Sequence, residues 1–149
     1  MSEVVNVVCP HCDAVNRIPR VRLGGTERPV CGRCRKALFD GHPVALDEEA
    51  RFRRHLERTE LPVLVDFWAP WCGPCRMMAP EFEAAAGELE PHVRLAKVDT
   101  ERAQGVAAGL GIRGIPTLIL FRGGREIARR SGAMNRQGIA RFAEANLRT

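Results

Sequence analysis

Six cysteines fall into three C-x-x-C pairs, Cys9/Cys12, Cys31/Cys34 and Cys72/Cys75. The spacing serves two chemistries. Two thiolates offered from one tight turn supply half of a tetrahedral metal site. Two thiols one helical turn apart can instead alternate between dithiol and disulfide. Surroundings decide between them. Cys9-Pro10-His11-Cys12 and Cys31-Gly32-Arg33-Cys34 are similar knuckles separated by the 18 residues from Asp13 to Val30, the pattern of a four-cysteine zinc site. A closed four-sulfur set points to one structural Zn2+ per chain, held by Cys9, Cys12, Cys31 and Cys34. His11 and His42 are then expected at the surface. The competing reading makes these four thiols a reversible disulfide sensor. The two coexist, because oxidation of zinc thiolates expels the metal.

The third pair has a different setting. It follows the apolar run Pro62 to Ala69 directly and opens a helical segment. At a helix start, unpaired N–H groups and the dipole stabilise a thiolate. Cys72 is therefore the expected nucleophile, with its sulfur exposed, and Cys75, one turn deeper, the resolving thiol. Gly73 allows the tight turn. Pro74 stiffens the loop and removes an N–H that would stabilise the thiolate. A less stabilised dithiol is the stronger reductant, so the loop points to reducing chemistry.

The elements that must position these groups follow from periodicity. Val44 to Leu46 reads as a short strand, and Asp47 as the N-cap of a helix reaching about Thr59 with Phe52, His55 and Leu56 on one face. Pro62 to Ala69, apolar throughout, reads as a central strand. A helix is expected from Pro74 to about Leu89, kinked at Pro80. Val93 to Asp99 is a strand and Arg102 to Gly109 a short helix. Thr117 to Arg122 and Glu126 to Ser131 form a hairpin around Gly123-Gly124. An amphipathic helix from Asn135 to Leu147 turns Ile139, Phe142, Ala143 and Leu147 inward. The class is α/β, with parallel first strands and an antiparallel final pair.

Val65-Asp66-Phe67-Trp68-Ala69-Pro70-Trp71-Cys72-Gly73-Pro74-Cys75 resembles the active-site strand and loop of the thioredoxin family, and Gly114-Ile115-Pro116-Thr117 resembles its second signature. Pro70 departs from many relatives, which often carry a polar residue there. The resemblance implies a mixed central sheet flanked by four helices over residues 44–149. A small zinc-ribbon module over residues 1–40 completes a likeness to the thioredoxin 2 type. Family likeness also assigns roles. Asp66 becomes the buried proton acceptor for Cys75, with Lys97 tuning it. Pro116 becomes a cis-proline facing the cysteines, and Ile115 the residue whose backbone pairs with the client. Trp71, Gly132 and Ala133 complete a docking surface. The implied partners are a thioredoxin reductase and clients such as ribonucleotide reductase, methionine sulfoxide reductase and peroxiredoxins.

Composition narrows the classes further. A hydrophobic content of 45% supports a packed core, and a net charge of +5 is a mild excess that does not demand nucleic acid. The longest apolar runs are strand-sized, too short to cross a membrane. The opening residues lack a basic segment followed by an apolar run. The expectation is a cytoplasmic monomer, where six cysteines favour metal and redox roles over a disulfide framework. A disulfide oxidase or isomerase is the alternative, but it would need an oxidising compartment and usually another dipeptide between the cysteines. A redox-sensing binding module acting through the ribbon is the other.

Overall fold

The computed structural model describes residues 3–148. Residues 1, 2 and 149, at the outer ends of the two expected units, lie outside that range. In chain order the elements are β1 (Val4–Val8), β2 (Val15–Pro19), β3 (Val44–Ala45), α1 (Glu49–Arg58), β4 (Val63–Trp68), α2 (Gly73–Leu89), β5 (Arg94–Asp99), α3 (Gln104–Gly109), β6 (Thr117–Arg122), β7 (Arg125–Ser131) and α4 (Arg136–Leu147). β1 and β2 pair antiparallel as a two-stranded sheet. The other five strands form one sheet in the order β3-β5-β4-β6-β7. β3 and β4 run parallel to β5, while β6 runs antiparallel to both β4 and β7.

Strand side chains alternate between faces, and the core divides accordingly. Leu64, Leu95, Leu118 and Leu120 meet Phe82 of α2 and Ile139 of α4 on one face. Val65, Phe67, Ile119 and Phe121 meet Phe52 and Leu56 of α1 and Val106 of α3 on the other. Phe52 sits edge-on to Phe67 and Phe121, with ring centroids 6.2 and 6.1 Å away, a favourable aromatic geometry. Both faces of β4 are covered, which explains its unbroken apolar sequence.

Helix boundaries have local causes. Asn135 caps α4 by accepting from the Gly138 N–H at 2.8 Å. Asp47 does not cap α1. Glu48 occupies that position without a side-chain bond. The Asp47 carboxylate is engaged elsewhere, accepting from the Asp99 N–H at 2.8 Å and pairing with Arg102 at 3.4 Å. The short helix begins at Gln104, not Arg102, and Pro80 lies inside an α2 that runs unbroken through it. Gly123 and Gly124, at φ 60° and 78°, supply the left-handed turn of the β6–β7 hairpin.

The amino-terminal module packs where β4 and β5 begin. Its own core is small: Val5, Val7, Cys9, Ile18, Cys31, Leu38 and Phe39, joined by Leu61 from the start of the larger domain. Asn6 and Glu60 exchange two bonds, at 2.6 and 2.8 Å. Buried Arg94 donates to the Glu90 carboxylate at 2.9 Å and lies 4.6 Å from the Phe39 ring centroid. Arg51 and His55 of α1 both bond the Asp13 carboxylate, and Arg54 donates to the Asp13 carbonyl. Burial brings the His55 imidazole down to about 4 against the pull of Asp13, so it is neutral at neutral pH. Among the described residues, no helix is long and apolar enough to cross a membrane.

Candidate active site and metal centre

β4 delivers the chain to the start of α2, and the redox pair sits at that junction. Cys72 is the N-cap residue and Cys75 lies in the first turn, with Pro74 between them in the first turn as well. The two cysteines form a disulfide in this structure. The Cys75 N–H points at the Cys72 sulfur from 3.2 Å. That is an orphan donor of a helix start, placed where it would stabilise negative charge on that sulfur. Cys72 is only 4% exposed, contrary to the exposed sulfur expected from sequence. Its sulfur is bonded to Cys75 and lies 3.8 Å from the Ile115 carbonyl oxygen, and Ala69, Trp68 and Ile115 close around it.

Asp66 is a register neighbour of Lys97 across β4 and β5 and of Leu118 on β6. It therefore shares the face of Leu64 and Leu118 that α2 covers. The carboxyl is 3% exposed, and its Oδ1 has no hydrogen-bond partner among the described residues. Burial pushes it up to about 7, with Lys97 opposing. Lys97 holds its ammonium 4.5 Å from the Trp68 ring centroid.

The Ile115–Pro116 peptide bond is cis. The Gly132 N–H donates to the Pro116 carbonyl at 2.9 Å, which brings Gly132 beside that loop. Gly132 and Ala133 are exposed, and Trp71 is 65% exposed. The sequence reading placed Trp71 at the surface but missed its partner. The indole N–H donates to Glu101 Oε1 at 2.6 Å. No residue spacing announces that bond, because Glu101 lies on the turn after β5.

The other four cysteines converge. Their sulfurs all lie within 4.8 Å of one another. Cys9 and Cys34 are 3.7 Å apart and Cys12 and Cys31 3.6 Å apart. A tetrahedral ion with bonds of about 2.3 Å needs sulfur pairs at about 3.8 Å, so the cage has the size of a zinc site. Both knuckles turn alike: Asp13 and Arg35, each following the second cysteine, sit at φ 66° and 68° and donate to the carbonyls of Cys9 and Cys31. Backbone N–H groups of His11 and Arg33 point at the sulfurs of Cys9 and Cys31. Asn16 was not legible in the sequence. Its amide donates to the Cys31 sulfur at 3.4 Å and accepts from the Gly32 N–H at 2.9 Å. Burial pushes the Cys31 thiol up, yet the Cys34 N–H, the Asn16 amide and the Arg33 N–H outweigh it and bring it down to about 6, while burial pushes Cys9 up to about 12. His11 and His42 are exposed and outside the cage, as expected.

A redox-active cysteine pair at a helix start, beside a cis-proline loop on a mixed sheet that also buries a carboxyl, defines a thiol–disulfide exchange protein. Two family models match the chain: Thioredoxin over residues 43–145, and Thioredoxin 2, N-terminal, a zinc ribbon, over residues 8–36. The thioredoxin C-3 of Corynebacterium nephridii is 40% identical over 141 residues, covering 95% of this chain and 94% of that protein. A Synechocystis thioredoxin is 42% identical over 66% of this chain and 92% of its own length. The solved structure of a mutant thioredoxin from Halobacterium salinarum superposes with a TM-score of 0.65 at 28% identity, covering 73% of this chain and 94% of that one. The chain belongs to the thioredoxin family, has the thioredoxin fold preceded by a zinc ribbon, and is a thiol–disulfide oxidoreductase.

Proposed function

We propose that this thioredoxin-family chain is a cytoplasmic protein-disulfide reductase. The observation that carries the reading is the Cys72–Cys75 pair at the start of α2, with the Cys75 N–H aimed at the Cys72 sulfur. In the reduced protein the Cys72 thiolate attacks one sulfur of a client disulfide. That bond breaks, one client thiolate leaves, and a mixed disulfide joins client to Cys72. Cys75 then loses its proton to the Asp66 carboxylate, which Lys97 helps keep charged. Its thiolate attacks the Cys72 sulfur, the second client thiolate leaves, and the Cys72–Cys75 disulfide remains. Two electrons have passed to the client.

A thioredoxin reductase drawing on NADPH closes the cycle. The chain has no glycine-rich dinucleotide loop of its own. Clients would be enzymes that form a disulfide each turnover, such as ribonucleotide reductase, methionine sulfoxide reductase and peroxiredoxins. An extended client segment would lie along Ile115 and Pro116, recognised through its backbone and so with tolerance of sequence. Trp71, Gly132 and Ala133 would flank it. Residues 1–40 would act as a separate module in which Cys9, Cys12, Cys31 and Cys34 hold zinc; the metal's part is structural, tying together a module with little core.

Dithiothreitol-driven insulin reduction tests the reading. Wild type accelerates it, Cys72→Ser abolishes the acceleration, and Cys75→Ser leaves a client covalently attached at Cys72. Acceleration that survives Cys72→Ser sinks the assignment.

A further inference from the structure

Trp71 stands beside the nucleophile with most of its indole in solvent, yet it is not free to turn. Its N–H is held by Glu101 at 2.6 Å. Glu101 is in turn presented by a pinned segment. Its own N–H donates to the carboxylate of buried Asp99 at 2.9 Å. Thr100, before it, bonds the Trp68 carbonyl twice, through its N–H at 2.8 Å and its hydroxyl at 3.0 Å. Asp99 is tied to Asp47, whose carboxylate also takes Arg102. The segment from Asp99 to Arg102 is thus bolted to the end of β4 that leads into the active-site loop. The two indoles of that loop are treated differently. The Trp68 N–H is buried without a partner among the described residues, while the exposed Trp71 has a carboxylate acceptor. Core packing and Lys97 already fix Trp68. Trp71, outside that packed cluster, is held at its edge.

We propose that Glu101 is a positioning residue for client recognition, latching Trp71 in one rotamer so that its ring forms a standing wall of the docking surface beside Cys72. The proposal rests on the reductase reading for its functional consequence. Glu101 touches neither sulfur, so the exchange chemistry at Cys72 does not run through it. Without the bond, the indole must be ordered anew each time a client docks, and that ordering cost weakens binding.

The test uses the full-length, zinc-loaded protein and three variants, Glu101→Ala, Glu101→Gln and Trp71→Phe. Insulin reduction gives KM and kcat separately. Acrylamide quenching in a Trp68→Phe background reports on Trp71 alone. Glu101→Ala should raise KM for insulin about three- to tenfold, the size of one net hydrogen bond, with kcat within about twofold, and should increase quenching of Trp71. Glu101→Gln keeps the acceptor and should match wild type in both readouts. Glu101→Ala in the Trp71→Phe background should change KM no further. An unchanged KM or unchanged quenching in Glu101→Ala overturns the latch, and so does a Glu101→Gln variant that behaves like Glu101→Ala. If wild type itself fails to reduce insulin, the reductase reading falls, while the quenching series still decides whether the latch exists.

Discussion

The Arg94 guanidinium donates to the Leu38 carbonyl oxygen at 2.7 Å, joining the first residue of β5 to the amino-terminal module through a side chain 1% exposed. The same guanidinium holds Glu90, whose other oxygen accepts from the Gly41 N–H at 3.1 Å. Burial disfavours charge on both partners, and each supplies the other's countercharge. The ribbon is therefore seated on a buried ion pair of the larger domain.

Arg94→Met should destabilise the protein by about 3–5 kcal/mol, because it leaves Glu90 charged and buried without a partner. Combining it with Glu90→Gln should restore much of that loss. Urea unfolding measures both. A double variant no more stable than Arg94→Met would show that the lost packing against Phe39, not the stranded carboxylate, carries the cost.

Asp66 gives stability a pH dependence of known sign. Its carboxyl is raised to about 7 in the fold from the ordinary 3.8. Between those values the native state binds more protons than the unfolded chain, so stability falls as pH rises through the window. The penalty is absent below about pH 4 and complete above about pH 7, amounting to about 4 kcal/mol from a shift of roughly three pH units. Asp66→Asn removes the dependence. Its stability relative to wild type should improve steadily from pH 4 to pH 8, and a constant difference across that range would contradict the assignment.

Metal analysis of the purified protein should find one zinc per chain. A Cys9→Ser/Cys12→Ser variant should hold none, because half of the cage is gone. With so few apolar side chains of its own, the ribbon should then become open to proteolysis while the segments of the five-stranded sheet stay protected. Zinc retained by the double variant would refute the ligand set.

Asn16→Leu removes the amide that holds Cys31 and Gly32 together. Outer partners of this kind are worth about 10- to 100-fold in metal affinity. Zinc transfer to a chromogenic chelator should be correspondingly favoured, with insulin reduction near wild type. Equal transfer would leave Asn16 a spectator.

Much of this molecule is legible in its sequence. The three C-x-x-C pairs named both sulfur chemistries, and the unbroken apolar run from Pro62 to Ala69 announced a central strand covered on both faces. What escaped were contacts between residues far apart in the chain. Asp47 has the type and place of an N-cap, but a tertiary demand from Asp99 claimed its carboxylate. Nothing local marks Arg94 for burial, and its partner in the docked ribbon, Leu38, lies 56 residues earlier in the chain. Cys72 was expected in the open because helix starts are open; the Ile115 loop that covers it comes 43 residues later. Asn16 and Glu101 carry no motif at all, since one side chain reaching one partner has no period.

The ribbon sits where β4 and β5 begin, while the dithiol lies where β4 ends and α2 begins. The 17 residues of α2 span about 25 Å along its axis. One chain thus keeps two sulfur inventories out of each other's reach. In the proposed exchange, a mixed disulfide at Cys72 would meet Cys75 and not the four sulfurs of the ribbon, which is seated at the opposite end of β4. On that reading the separation guards against internal scrambling, and electrons from the working pair would go outward to clients.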